Sequence, residues 1–352
     1  MFVQKPDRIP LTCLPTPLNE IPNASKLLGG PRLFIKRDDL TGLSFGGNKA
    51  RKLEFVMGEA VRSRADVVIT ASGLQSNWAQ ATAAAASKLG MRTVLILRMA
   101  QFREVPNVYD GNLLLDSLIG AKIRIVEGSI RDAFQADQIM QETAKIERAK
   151  GNNPYVAVIG GDTPIGTLGY VNAMLEIKDQ LLAMNKAIDH VVFASASGGT
   201  QAGLIVGAKQ FGMHTKIHGI NIGVMETSLL KKRISELTND TSKLLKLAYS
   251  IEPDEILITD RYPGFAEYGN MTKEAADAIT FLARTEGIFL DPVYTGKAFA
   301  GLMHLIREDF FGKQENVLFL HTGGIAALFP YKRELLQTLQ IDSTNGKPSS
   351  IK

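Results

Sequence analysis

Short apolar runs, rich in β-branched residues, alternate along this chain with longer helix-compatible segments, and no other feature narrows its possible folds as much. One set of runs comprises Val67 to Thr70, Thr93 to Leu97, Lys122 to Val126 and Tyr155 to Ile159. A second comprises His190 to Ala194, Lys216 to Ile222 and Val317 to His321. The segments between them, such as Ala50 to Arg64, Asn77 to Leu89 and Ile130 to Ala149, are rich in the Ala, Leu, Glu, Lys and Gln that helices prefer. That order predicts an α/β fold in which crossover helices bury parallel strands. With 352 residues the chain exceeds what one core usually serves, so two domains are expected. No internal repeat or low-complexity linker marks a boundary between them.

Charge and cysteine usage restrict the partners. The net charge is +4, and Lys and Arg are spread along the chain, so neither nucleic acid nor a membrane is expected as a partner. A diffuse positive balance suits anionic small molecules. The single cysteine, Cys13, excludes an intramolecular disulfide and a Cys-based zinc cluster and points to a reducing compartment. Met1 to Glu20 lacks the apolar core of a signal peptide, and no stretch approaches the roughly 20 apolar residues of a membrane span, so a cytoplasmic location is expected. Ser343 to Lys352 reads as a polar tail. His214 and His218 are four apart on a run that reads as a strand, and no His-Glu-x-x-His occurs, so no metal site is expected.

Several strand-like runs end directly in small or polar residues: Ala71-Ser72-Gly73, Gly160-Gly161-Asp162 and Ser195-Ala196-Ser197-Gly198-Gly199-Thr200. Ligands of open α/β sheets bind beyond the carboxyl ends of strands, so chemistry is to be sought there. Gly46 and Gly47 deliver Asn48 and Lys49 at the start of a helix, without the spacing of a nucleotide phosphate loop. A lysine that loses its proton forms an imine with an aldehyde, and a helix N-terminus beside other cations promotes that loss. Taken alone, Lys49 is more readily read as a solvated surface lysine, as most lysines are. The loop Ser197 to Thr200 opens another helix with glycines whose N–H groups suit one phosphate, and no dinucleotide pattern appears. Gln75-Ser76-Asn77-Trp78 opens a third helix, where either helix capping or anion binding would use Ser76 and Asn77.

Taken together, Gly46-Gly47-Asn48-Lys49, Gln75-Ser76-Asn77, Ser197-Gly198-Gly199-Thr200, Asp291-Pro292-Val293-Tyr294 and His321-Thr322-Gly323-Gly324 carry a resemblance. In this order and spacing they resemble the D-cysteine desulfhydrase and 1-aminocyclopropane-1-carboxylate deaminase family of pyridoxal-phosphate enzymes, from about Thr16 to Phe329. The resemblance implies two open twisted α/β domains of the tryptophan-synthase β-like, fold type II kind. Residues 1–53 and 162–342 would form a large cofactor-binding domain and residues 54–161 a small one, in a homodimer with the cofactor in the cleft. Lys49 would be the Schiff-base lysine, with Asn48 beside it, and Asn77 would meet the phenolic oxygen of pyridoxal 5'-phosphate. Ser197, Gly198, Gly199 and Thr200 would cradle its phosphate, and Thr295 would lie by its pyridine nitrogen. Gln75, Ser76, Asn77 and Trp78 would receive a small amino-acid substrate, with Tyr268 and Tyr294 lining the other side. Catalysis would fall to Lys49, Ser76, Tyr268 and Tyr294.

The reaction so implied is β-elimination of the D-cysteine desulfhydrase type, giving pyruvate, ammonia and sulfide. Deaminases of the family place a glutamate beside the pyridine nitrogen, where this chain has Thr295. A neutral hydroxyl cannot stabilise a pyridinium as a carboxylate does, which favours expulsion of a good leaving group over cyclopropane opening. The deaminase, a cysteate sulfo-lyase and an amino-acid racemase are alternatives on the same scaffold. Outside it stand a cofactor-binding regulator, opposed by the intact Lys49 and Ser76, and a nicotinamide-dependent oxidoreductase, opposed by the missing fingerprint. Trp78 departs from the family's His or small polar residue, so the indole either packs between the domains or reshapes the pocket.

Overall fold

Which faces of each strand are apolar decides the layering of the molecule. The computed structural model describes residues 7–99, 109–127 and 133–340. Its first half runs β1 (Leu18–Glu20), α1 (Pro22–Leu28), β2 (Arg32–Lys36), α2 (Asn48–Arg62), β3 (Val67–Gly73), α3 (Asn77–Lys88), β4 (Arg92–Arg98), α4 (Gly111–Ile119), β5 (Lys122–Val126), α5 (Ala133–Ala149) and β6 (Pro154–Val156). The second half runs α6 (Pro164–Ala183), β7 (His190–Ser195), α7 (Gly199–Gln210), β8 (Lys216–Asn221), α8 (Thr227–Leu244), β9 (Leu257–Thr259), α9 (Lys273–Glu286), α10 (Thr295–Arg307), β10 (Asn316–Leu320) and α11 (Lys332–Thr338).

These strands form two sheets. The larger has the order β1-β2-β10-β7-β8-β9, and the smaller β5-β4-β3-β6. Only β1 pairs antiparallel, against β2; every other pairing is parallel. Alternation along β7 sends Val191 and Phe193 to one face, with Tyr170 and Ile177 of α6, and Val192 and Ala194 to the other, with Leu282 of α9 and Phe299 of α10. In the smaller sheet every residue of β3 is buried, as a parallel strand covered on both faces requires. Its Val67 and Ile69 meet Ala136 and Met140 of α5, while Val68 meets Leu53 of α2 and Trp78 of α3.

All seven strand-like runs contain a strand, and three strands were not read from the sequence. β1 and β9 span three residues each, too few for a period to show, and β2 is an apolar triplet between Arg32 and Lys36. The run Tyr155 to Ile159 needs correction. β6 pairs with β3 only over Pro154 to Val156, and a 3-10 turn at Ile159–Gly161 follows, because Gly160 and Gly161 turn the chain toward α6. Residues 130–132 of the helix expected from Ile130, and the tail expected from Ser343, lie outside the described residues. Among the described residues no helix is long and apolar enough to cross a membrane.

Candidate active site

A cleft opens beyond the carboxyl end of β7. It is lined by Asn48, Lys49, Asn77, Ser195, Ser197, Gly198, Thr200, Tyr294 and Thr322, among others. Helices α2, α3 and α7 begin on it, as does α10 through its N-cap Tyr294, and the first three start there for local reasons.

The start of α2 is held from below. Gly47 N–H donates to the Asp38 carbonyl at 2.9 Å, and Asn48 N–H to the Thr322 carbonyl at 3.0 Å. Gly47 has φ 119°, and a Cβ there would lie 3.0 Å from the Thr322 oxygen, so the approach of the two loops requires glycine. One turn on, Arg51 spans both oxygens of buried Asp38 at 2.8 Å each, and Tyr170 donates to the same carboxylate at 2.7 Å. Burial opposes ionisation of Asp38, yet Arg51 holds it below the usual carboxylate range. The result is a rigid platform for Lys49. Burial, and then the charge of Lys52, lower the Lys49 amine from 10.5 to about 7, against the pull of Asp162. Part of the Lys49 population is therefore neutral at neutral pH.

The start of α7 has the makings of an anion seat. Its N-cap, Gly198, has no side chain to bond the first N–H groups, which together with the helix dipole attract an anion. Beneath it Lys52 donates to Asp162 at 2.6 Å, both fully buried. Burial opposes the charge on Asp162, but Lys52 and Lys49, with the adjoining Ser197 hydroxyl, bring its pKa to about 2. A Cβ on Gly199 would stand 2.2 Å from Asp162 Oδ1 and 2.5 Å from Lys52 Nζ, so only glycine fits between the seat and this pair. Asn48 Nδ2 donates to Thr200 Oγ1 at 3.1 Å, joining the lysine-bearing helix to the seat.

The start of α3 is arranged differently. Ser76 caps it, its Oγ accepting from the N–H groups of Trp78 at 3.1 Å and Ala79 at 3.3 Å and from Ser72 Oγ at 2.6 Å. With its lone pairs so engaged, the serine proton is the part left to act. Gln75 is used at both ends as a brace, donating to the Asp110 carbonyl at 2.9 Å and accepting from Asn112 N–H at 2.8 Å. Trp78 corrects the pocket reading. Its Nε1 donates to Thr70 Oγ1 at 2.8 Å, its ring abuts Gly161, and it is buried with Leu53, Val56 and Met57. Consecutive helix positions point about 100° apart, so the turn that aims Asn77 at the cleft aims Trp78 into the core.

On the opposite wall Tyr294 reaches the cleft, and its hydroxyl lies 2.6 Å from that of Tyr268. Burial pushes Tyr268 up to about 12 and Tyr294 well above its usual value, so both keep their protons at neutral pH. Thr295 sits under this wall, fully buried, its hydroxyl donating to Asp291 Oδ1 at 2.7 Å and accepting from Asp291 N–H at 2.8 Å. Asp291 also takes the N–H groups of Val293, Tyr294 and Thr295 at 2.8 to 2.9 Å. Burial nonetheless raises its pKa.

Lys52, Asp162 and Asn112 lie outside the site residues to which the sequence points. A signal for Lys52 existed, since it lies three positions after Lys49 and so shares its helix face. Asp162 closes one of the strand-end loops. Asn112 is 35 residues from Asn77, and nothing local joins them.

An aldehyde needs a partly neutral amine, and a phosphate needs an unclaimed helix N-terminus; here the two share one cleft. A group carrying both functions fits these residues, which is the pairing that pyridoxal phosphate presents. The chain belongs to the pyridoxal-phosphate dependent enzyme family, which it matches over residues 9–323, and it is an enzyme that uses this cofactor. Its fold is the type II fold of that family. It is 40% identical to a Pyrococcus furiosus protein provisionally named 1-aminocyclopropane-1-carboxylate deaminase, over 96% of this chain and 98% of that one. It is also 40% identical to the D-cysteine desulfhydrase of Klebsiella pneumoniae, over 93% of this chain and 97% of that one. The crystal structure of an ACC deaminase homologue superposes with a TM-score of 0.85 at 39% identity, covering 94% of this chain and 96% of that one.

Proposed function

We propose that the protein catalyses β-elimination on a small amino acid, most directly D-cysteine, releasing pyruvate, ammonia and sulfide. One observation carries this reading: a partly neutral Lys49 shares one cleft with Tyr294, a protonated phenol backed at 2.6 Å by Tyr268. When bound, pyridoxal phosphate draws electrons away from the bonds at the substrate's α-carbon. Lys49 would hold it covalently, the seat from Ser197 to Thr200 would hold its phosphate, and Asn77 Nδ2 would donate to its phenolic oxygen. The Lys49 amine, neutral in part, would take the proton from the substrate's α-carbon. Tyr294 Oη would donate a proton to the departing sulfur, and Tyr268 Oη, 2.6 Å away, would hydrogen-bond the phenolate left on Tyr294. The Ser76 proton, its oxygen already engaged, would meet the substrate carboxylate. Thr295 stands where the deaminases of the family have a glutamate, and with its hydroxyl held by Asp291 it would offer the ring nitrogen no carboxylate, which favours a good leaving group.

The domain division at 53/54 and 161/162 belongs to this proposal, as do a homodimer and a cytoplasmic setting, which suits the exposed Cys13. The loaded protein is to be offered D- and L-cysteine, 3-chloro-D-alanine and 1-aminocyclopropane-1-carboxylate. Pyruvate with sulfide from a cysteine is expected, and 2-oxobutyrate from the cyclopropane alone would reassign the activity. Lys49→Ala should fold, fail to hold the cofactor covalently and lose several orders of magnitude in rate.

A further inference from the structure

We propose that Asn112 is a positioning residue that fixes the side-chain amide of Asn77 with its hydrogens toward the cleft. The backbone carbonyl of Gln75 can only accept a hydrogen bond, and it takes one from Asn112 Nδ2 at 3.0 Å. That sets the orientation of the Asn112 amide, since the reverse would place one oxygen against another. The same Nδ2 can only donate, and it lies 2.8 Å from Asn77 Oδ1. The oxygen of Asn77 is thereby committed, and its own Nδ2 is left for the cleft that Asn77 lines. No described residue accepts from it. Asn112 is itself immobilised, 2% exposed, with its backbone N–H held by Gln75 Oε1 at 2.8 Å. A backbone carbonyl thus decides, through two amides, that the cleft meets a donor here and not an acceptor.

The consequence rests on the reading of Asn77 as the contact to the cofactor's phenolic oxygen. A donor at that place favours the deprotonated, anionic form of the oxygen, and an acceptor would oppose it. Asn112 therefore tunes that oxygen without touching it.

The test is a double-mutant cycle with two readouts that do not depend on turnover. Apoprotein of wild type, Asn112→Ala, Asn77→Ala and the double variant is titrated with pyridoxal phosphate for Kd, and the visible band of each loaded protein is titrated with pH. Asn112→Ala should weaken binding on the order of tenfold, the weight of one hydrogen bond to a charged oxygen, and raise the pH midpoint of the band. In the Asn77→Ala background it should change neither readout further. Equal effects of Asn112→Ala in both backgrounds would show a general structural role and overturn the proposal. So would an Asn112→Ala protein matching wild type while Asn77→Ala does not. If Asn77→Ala alone moves neither readout, the reading of Asn77 falls first and takes this inference with it. Should Asn112→Ala not fold, Asn112→Ser carries the same cycle.

Discussion

The N-termini of α3 and α7 face the same cleft and are prepared in opposite ways. α3 begins under Ser76, whose hydroxyl claims the N–H groups of Trp78 and Ala79. α7 begins under Gly198, at φ 100°, where no side chain claims anything. Both ends carry the positive pole of a helix dipole, but only α7 has unclaimed donors for a phosphate. Under the proposed function α3 would contribute side chains instead: the proton of Ser76 and the amide of Asn77. A serine in place of a glycine is enough to turn an anion seat into a support for reacting groups.

The most damaging way to break this contrast is to fill the seat. Gly199→Ala adds a methyl group against Asp162 and Lys52, an overlap worth roughly 2 to 3 kcal/mol, or about a hundredfold in Kd for pyridoxal phosphate. A Kd within threefold of wild type, measured by titrating the apoprotein, would mean that phosphate is held elsewhere.

Ser76→Ala probes the other helix. Binding should stay within about twofold of wild type, because the cap makes no part of the seat, while kcat/KM falls roughly tenfold to a hundredfold with loss of a hydrogen bond to the substrate carboxylate. Loss of the cap itself should cost about 1 kcal/mol and lower Tm by a few degrees. Wild-type turnover with weakened cofactor binding would invert the roles assigned to the two helices.

Lys52 joins the seat to the lysine, and its replacement sharpens the electrostatic side of the contrast. Capture of the aldehyde needs the unprotonated Lys49 amine, so its rate should climb as pH rises through about 7. Lys52→Met removes a cation that lowers this value and leaves Asp162, which raises it, so the midpoint should move upward. Stopped-flow mixing of apoprotein with pyridoxal phosphate across pH reads the midpoint directly. An unchanged midpoint would show that burial alone governs Lys49.

Trp78 gives the smallest effect. Trp78→Phe keeps the ring in the core and removes the bond to Thr70 Oγ1, a loss of about 1 kcal/mol in stability. Relative kcat/KM among D-cysteine, L-cysteine and 3-chloro-D-alanine should be unchanged. A shifted profile would return the indole to the pocket.

Much of this protein was legible in its sequence because the informative signals are local. The period of apolar residues announced seven parallel strands, and glycines before Lys49 and around Ser197 marked two helix starts where backbone donors and an amine serve chemistry. Those features depend on neighbours a few positions apart. Which way a helix start faces, and what lies behind it, depends on residues far away in the chain. Trp78 turned inward because α2 and Gly161 offered an apolar bed for its ring. Lys52 joined the site because Asp162, 110 positions later, came under Gly199. Asn77 acquired its polarity from Asn112 across a loop. Sequence patterns record what a residue can do, but packing decides which partner occupies its donors and acceptors, and only the folded chain brings those partners within 3 Å.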